Sequence, residues 1–170
     1  MGRLVFITGG ARSGKSRFAL SIAKSLGKKK AFIATAQVLD DEMRKRIMQH
    51  RKARARQWYT VEEPMDIKGA LKELDGFEVV VVDCLTLWLN NLISLERGKS
   101  PVQEAEELAE FCKIATPSCV LVSNEVGLGI VPESPLGRSF RDLAGKINQI
   151  FASASDEVYI VISGIPLRLK

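Results

Sequence analysis

The strongest constraint on the fold is a glycine-rich segment near the start of the chain. Residues 9–16 read Gly-Gly-Ala-Arg-Ser-Gly-Lys-Ser and fit the pattern G-x-x-x-x-G-K-[ST] in full. In this pattern the glycines let successive backbone N–H groups point at phosphate oxygens. The lysine, Lys15, can reach the β- and γ-phosphates, and the hydroxyl of Ser16 can bind Mg²⁺. The segment therefore predicts a phosphate loop for a nucleoside triphosphate.

The residues on either side of the segment support this interpretation. Residues 4–7 are an apolar run suited to a buried parallel strand. Apolar residues then recur at helical spacing at Phe18, Ala19, Ile22, Ala23 and Leu26. A helix that starts at the loop adds its N-terminal dipole to the anion site. The strand–loop–helix context argues against the alternative, a glycine-rich turn with a chance lysine.

Composition predicts one globular domain over residues 1–170. The chain has no apolar run near the ~18 residues of a membrane span, and no basic-then-apolar signal segment precedes residue 7, so we expect a cytoplasmic protein. Its three cysteines, Cys84, Cys112 and Cys119, contain no C-x-x-C pair. We expect reduced, mostly buried thiols rather than a disulfide or zinc framework.

Charge is unevenly distributed along the chain. Residues 1–60 hold 15 Lys and Arg against 3 Asp and Glu, whereas residues 61–170 hold 10 against 17. A basic first portion suits a polyanionic ligand. Charge alone does not distinguish a nucleoside triphosphate from a nucleic acid.

Strand-like and helix-like segments alternate through the chain. Apolar, β-prone runs occur near residues 31–35, 58–61, 79–83, 119–123 and 157–163, and amphipathic segments occur near residues 65–74, 84–93, 102–115 and 134–154. The alternation predicts an α/β fold with a mostly parallel sheet and helices on both faces. We expect the fold to end at residues 164–166.

Polar residues follow several of these strands. Because ligands of open parallel sheets bind beyond the carboxyl ends of the strands, Thr35 and Ala36 are candidates to face the nucleotide, although Thr35 fits an ordinary strand-end hydroxyl equally well. Asp83 ends a run of four valines and resembles the carboxylate that assists Mg²⁺ in phosphate-loop enzymes, with a helix cap as the alternative. Asn124 and Glu125 follow a later strand and would lie at the same edge.

His50 is the only histidine of the chain. We expect a helix from about residue 40 to about residue 54, in which Met43, Ile47, His50 and Arg54 share one stripe among many basic residues. A lone histidine is more often structural than catalytic. Histidine is nonetheless the commonest acid, base or nucleophile near pH 7, and neighbouring arginines would hold phosphate oxygens.

Several stretches together resemble one family. They are residues 8–16, 39–43, 46–47, 50, 58, 61–64, 83–89, 123–132, 140–145 and 148–149. The chain resembles the bifunctional adenosylcobinamide kinase / adenosylcobinamide-phosphate guanylyltransferases of cobalamin biosynthesis, and the resemblance spans nearly the whole chain. The phosphate loop is shared with many families, so the segments around His50 and over residues 124–132 make the match specific. Two departures are Ala55, where a proline is expected, and a short segment between residues 93 and 115.

The resemblance implies a phosphate-loop (P-loop) NTPase of RecA-like type that assembles as a homotrimer. It implies phosphorylation of adenosylcobinamide by ATP or GTP, followed by transfer of GMP from GTP to the product. The catalytic residues that carry over are Lys15 and a guanylylated His50, and Ser16 and Asp83 would bind Mg²⁺. The nucleotide-binding residues that carry over are Gly9, Gly10, Ala11, Arg12, Ser13, Gly14, Lys15, Ser16, Ala34, Thr35, Ala36, Arg51, Lys52, Ala53, Arg54, Glu62 and Asp83.

Two other functions compete with this interpretation. One is a RecA-like ATPase that binds nucleic acid through the basic helix; the low aromatic content of 6% offers such a protein few stacking platforms, and we expect no nucleic-acid partner. The other is a plain small-molecule kinase in which His50 is structural. Loss of GMP transfer alone on replacement of His50 would distinguish the bifunctional enzyme from the plain kinase.

Overall fold

A single seven-stranded sheet contains every described strand. The computed structural model describes residues 2–37, 41, 44, 48, 57–94 and 99–170. The strands are β1 (Leu4–Gly9), β2 (Lys30–Ala34), β3 (Tyr59–Glu62), β4 (Val79–Asp83), β5 (Ser118–Val122), β6 (Glu157–Ile162) and β7 (Ile165–Arg168). The continuously described helices are α1 (Lys15–Leu26), α2 (Ile67–Glu73), α3 (Leu85–Ser94), α4 (Pro101–Ile114) and α5 (Pro135–Ala154).

The sheet order is β3-β2-β4-β5-β1-β6-β7. All neighbouring pairs are parallel except β6 and β7, which pair antiparallel. One strand, β5, separates β1, which leads into the phosphate loop, from β4, which ends in Asp83. The predicted mostly parallel α/β sheet is confirmed.

The strands alternate between two cores, because successive side chains of a strand point to opposite faces. Phe6 and Val82 belong to the core on one face, whereas Ile7 and Val81 belong to the core on the other face. The first core packs against α2, α3, α4 and α5, and its large side chains include Trp88 and Phe151. The second core packs against α1. Helices therefore cover both faces, as the alternation of elements predicts.

Local sequence signals fix the helix starts. Ser134 accepts a hydrogen bond from the Gly137 N–H at 3.1 Å, and proline follows it at the first helical position of α5. Ser100 and Gln103 form a complete capping box at the start of α4. No described helix is both long and apolar enough to cross a membrane.

The end of the fold differs from the sequence-based expectation. We expect the fold to end at residues 164–166, but residues 165–168 form β7, an antiparallel edge strand. Ser163 and Gly164 make the turn with φ values of 51° and 83°, a pair of positive angles that matches tight two-residue hairpin turns. Proline at position 166 obscures the strand pattern, because proline is tolerated in sheets only at edges and bulges.

Candidate functional site

The phosphate loop connects β1 to α1 and requires glycine at two points. Gly9 has φ 155° and Gly14 has φ 96°. A Cβ atom at Gly9 would lie 2.5 Å from the Val161 carbonyl oxygen and 2.8 Å from the Ser13 hydroxyl. By contrast, a Cβ at Gly10 would meet no atom within 4 Å. The chain therefore curls against β6 at Gly9 and is open to solvent at Gly10.

Lys15 is buried although it is charged. Its side chain leaves the first residue of α1 and is only 8% exposed. Its ammonium group donates a 3.1 Å hydrogen bond to the Gly10 carbonyl oxygen, so it curls back across the mouth of the loop. A buried ammonium needs partners that repay its desolvation. The position of the ammonium group within the phosphate loop suits contact with phosphate oxygens.

Two hydroxyls at the loop have a feature that the sequence does not reveal; Ser13 is one of the nucleotide-binding candidates, whereas Thr8 is not. The side-chain oxygens of Thr8 and Ser13 are buried and have no hydrogen-bond partner among the described residues. Buried polar groups nearly always find a partner, so an orphaned pair at one loop points to an unobserved water, ion or ligand. The loop thus fits a bound anion. The sequence shows only that these hydroxyls are in or next to the loop, and it does not show that they are buried.

The metal-binding candidates are both accessible to a ligand. Ser16 lies in the first turn of α1 and Asp83 ends β4, and both are half-buried. No hydrogen bond or ion pair within the described part of the chain takes up the Asp83 carboxylate. Mg²⁺ in nucleotide enzymes needs only one or two protein oxygens beside the phosphates. The donor set therefore fits Mg²⁺ held jointly with a nucleotide.

The thiol of Cys84 reports the electrostatics beside Asp83. Burial, followed by the Asp83 carboxylate, raises the pKa of Cys84 to about 12, and the Lys15 ammonium opposes the rise. Both charges therefore act on one buried thiol. The charges of Lys15, in the phosphate loop, and Asp83, at the end of β4, are thus both felt at Cys84. All three cysteines of the chain are buried and free, as predicted.

Thr35 joins the ends of two strands. Its hydroxyl donates to the Cys84 carbonyl oxygen and accepts from the Cys84 N–H, each at 2.8 Å. Its own N–H donates to the Asp83 carbonyl oxygen, and its carbonyl oxygen accepts from Asn91. The side chain is fully buried. These contacts join the end of β2 to the end of β4 through the Thr35 hydroxyl and backbone, and contact of Thr35 with a nucleotide stays a prediction.

The neighbouring nucleotide-binding candidates lie at the same edge. Ala34 ends β2 in register with both Asp83 and Glu62, and Ala36 follows it half-buried. Glu62 is exposed at the end of β3. His50 and the candidates that follow it, Arg51, Lys52, Ala53 and Arg54, lie outside the described residues, as does most of the helix expected there; Asp41, Arg44 and Met48 are helical.

The turn between β6 and β7 packs against the phosphate loop. The Gly164 N–H donates to the Ser13 carbonyl oxygen at 2.8 Å. A Cβ at Gly14 would lie 3.3 Å from the Gly164 Cα. The sequence does not reveal this contact, because about 150 residues separate Ser13 from Gly164 in the chain. A hairpin turn is a local signal and says nothing of what the turn contacts.

A polar network anchors the segment after β5, residues 124–132. The Glu125 N–H donates to the Gly9 carbonyl oxygen at 3.0 Å, which ties the segment to the phosphate loop. The Asn124 N–H donates to Thr86, and the Asn124 carbonyl oxygen accepts from Asn148. Asn148 also accepts a 2.7 Å hydrogen bond from Ser123. Glu125 therefore contacts the phosphate loop, and Asn124 precedes it, at the sheet edge where the sequence predicts both residues.

Comparison with known proteins identifies the family. The family described as cobinamide kinase / cobinamide phosphate guanyltransferase matches residues 5–169. The chain belongs to this family. It is 40% identical to the bifunctional adenosylcobalamin biosynthesis protein CobU of Escherichia coli (strain K12), over 98% of this chain and 99% of the relative. It is 42% identical to the corresponding protein CobP of Pseudomonas aeruginosa, over 96% of this chain and 95% of the relative.

Solved structures show the same fold at low identity. The VirB11 ATPase from the Brucella suis type IV secretion system superposes with a TM-score of 0.50 and 11% identity, over 99% of this chain and 47% of that chain. A second solved ATPase domain superposes with a TM-score of 0.55 and 12% identity, over 93% of this chain and 68% of that chain. The cobinamide kinase family member thus has the fold of phosphate-loop ATPases, which confirms the predicted fold class.

Proposed function

We propose that this protein carries out both reactions of its family on the adenosylated substrate. In the first reaction, the γ-phosphoryl group of ATP or GTP passes to the aminopropanol hydroxyl of adenosylcobinamide, and a nucleoside diphosphate leaves. In the second, GMP from GTP is joined to the new phosphate, giving adenosylcobinamide-GDP and pyrophosphate. The observation that carries the proposal is the buried Lys15 within a complete phosphate loop, in a chain that matches the family over residues 5–169.

The kinase step needs positioning and charge neutralisation rather than a covalent intermediate. Backbone N–H groups of residues 9–16 and the Lys15 ammonium would hold the β- and γ-phosphates. The hydroxyls of Thr8 and Ser13 lack partners in the described structure and stand at the same loop. The acceptor hydroxyl loses its proton as its oxygen bonds to the γ-phosphorus.

The guanylyl transfer would proceed through His50. A neutral imidazole nitrogen attacks the α-phosphorus of GTP, a phosphoramidate forms, and pyrophosphate leaves. A phosphate oxygen of adenosylcobinamide phosphate then displaces the histidine. This divides one difficult displacement into two easier ones. We assign residues 51–54 and Glu62 to nucleotide binding on the same resemblance, and cationic groups among them would stabilise the departing pyrophosphate.

Mg²⁺ is the expected cofactor. The Ser16 hydroxyl and the Asp83 carboxylate would hold it together with phosphate oxygens, and it would neutralise charge that develops on the phosphates. The position of the Asp83 carboxylate at the end of β4, with no partner among the described residues, supports this assignment.

The assembly and compartment are also proposals. We infer a homotrimer from the family resemblance. Among the described strands β7 pairs only with β6, and its Ile165 and Leu167 are 64% and 51% exposed, which supports association of some kind. We infer a cytoplasmic enzyme, since three unpaired cysteines suit a reducing compartment.

The test uses purified protein with adenosylcobinamide, Mg²⁺ and either ATP or GTP, with products separated by chromatography. Wild type should form adenosylcobinamide phosphate with either nucleotide and adenosylcobinamide-GDP with GTP. Lys15→Met should lose both products. The matched control, Lys24→Met, changes an exposed lysine in the last turn of the same helix and should retain both. Wild type that phosphorylates no corrinoid would refute the proposal.

A further inference from the structure

The segment after β5 carries an unusual concentration of exposed aliphatic side chains. Leu128 is 79% exposed, Ile130 96%, Val131 61% and Leu136 75%. We call these four residues the aliphatic platform. Single exposed aliphatic residues are normal on a protein surface, whereas four within nine consecutive residues, 128–136, make this segment a candidate binding surface.

The platform is held in place rather than left loose. On its amino-terminal side, the Glu125 N–H is bonded to Gly9, and the Gly127 N–H donates to the Glu125 carboxylate at 3.0 Å. On its carboxyl-terminal side, the Arg138 guanidinium donates to the carbonyl oxygens of Pro132 and Glu133 at 3.0 and 2.6 Å. Polar anchors on both sides of residues 128–131 thus hold this part of the segment, and the first anchor is on the phosphate loop.

A nucleotide does not account for this surface. Phosphates need N–H donors and cations, which the phosphate loop supplies. The platform offers only aliphatic carbon, so its ligand must present apolar surface, and the segment that carries the platform is bonded to the phosphate loop at Glu125. The acceptor substrate of the family meets this requirement, because its hydroxyl must reach the γ-phosphate while its large ring lies outside the loop.

We propose that the aliphatic platform binds the corrin ring of cobinamide during both reactions. The ring carries methyl groups around its rim, which would pack on Leu128 and Ile130. Glu125 precedes the platform in the chain, and the exposed Glu133 lies between Val131 and Leu136. Their negative charge complements the single net positive charge of a cobalt(III) corrin with one carbanion ligand. This inference rests on the proposed function and adds to it the surface that selects the acceptor.

The test measures KM for adenosylcobinamide and, separately, Kd for the nucleotide. Leu128→Ser with Ile130→Ser should raise KM for adenosylcobinamide about tenfold through lost apolar contact, while Kd for ATP stays within about twofold. The control, Ile114→Ser, changes an aliphatic residue that is 67% exposed at the end of α4, before β5 begins, and should leave KM unchanged.

Each other outcome would overturn the inference. An unchanged KM in the double variant would remove the platform from substrate binding while the proposed function stands. A change in oligomeric mass by light scattering would show instead that the platform is an interface between copies of the chain. Wild type without any corrinoid-dependent activity would refute the proposed function and the inference together.

Discussion

Replacement of Gly9 by alanine should destabilise the protein, whereas the same change at Gly10 should not. Alanine at position 9 would keep a φ of 155° and would set a methyl group 2.5 Å from the Val161 carbonyl oxygen. A non-glycine residue in such a region costs about 1–3 kcal/mol. Gly9 and Val161 are paired in register between β1 and β6. Because the methyl group would meet a backbone oxygen, no side-chain rotation can relieve the clash.

The unfavourable φ and the contact with the Val161 oxygen together predict that Gly9→Ala lowers the free energy of unfolding by about 3 kcal/mol. In a domain of this size that loss lowers Tm by roughly 6–12 °C. At Gly10 a methyl group would meet nothing within 4 Å, and the φ is not positive. A Gly→Ala change at a compatible site changes stability by about 0.4–1 kcal/mol, in the stabilising direction, through the unfolded chain. Gly10→Ala is therefore a matched control from the adjacent residue.

The assay is thermal unfolding of the nucleotide-free protein, followed by circular dichroism. The structure predicts a lower Tm for Gly9→Ala and an unchanged or slightly higher Tm for Gly10→Ala. Equal loss in both variants, or a Gly9→Ala variant as stable as wild type, would refute the reasoning from loop geometry.

Two further predictions concern the support of the site. Asn148→Ala should cost about 2 kcal/mol, because it removes the buried bond from Ser123 and leaves the partly buried Asn124 carbonyl oxygen without its donor. The exposed neighbour Gln149→Ala should cost little in the same urea titration, and equal costs would contradict the network. The raised pKa of Cys84, about 12 against an ordinary 9.0, predicts stability that is complete below about pH 9 and lost as pH rises toward 12. The free energy of unfolding of wild type should therefore fall more steeply above pH 9 than that of Cys84→Ala; parallel curves would contradict the burial of the thiol.

Local patterns were sufficient for the phosphate loop and for the position of Asp83. The spacing of glycines, Lys15 and Ser16 between a strand and a helix is a signal within about 25 residues. The four valines before Asp83 predict a buried strand in the same way, and β4 has those bounds. The predicted placement of Asn124 and Glu125 at the sheet edge of the phosphate loop also holds, because parallel strands end at one edge of the sheet.

What the sequence did not predict depends on contacts between distant parts of the chain. Thr35 had two equal interpretations, and the sequence does not show its hydrogen bonds to Cys84 and Asn91. The edge strand β7 was missed because Pro166 interrupts its pattern. The support of Ser13 by Gly164 joins opposite ends of the chain. Periodicity and turn signals describe neighbours in sequence, so they carry no information on such pairs.

The most direct test of the bifunctional account is covalent labelling with GTP that carries a radioactive α-phosphate. Wild type and His50→Ala are incubated with labelled GTP and Mg²⁺, denatured, and examined for label that remains on the chain. The account predicts acid-labile, alkali-stable label on wild type alone, which is the behaviour of a phosphoramidate at His50. Label on neither protein, with nucleotide binding intact, would contradict it and leave a plain phosphate-loop kinase in which His50 is structural.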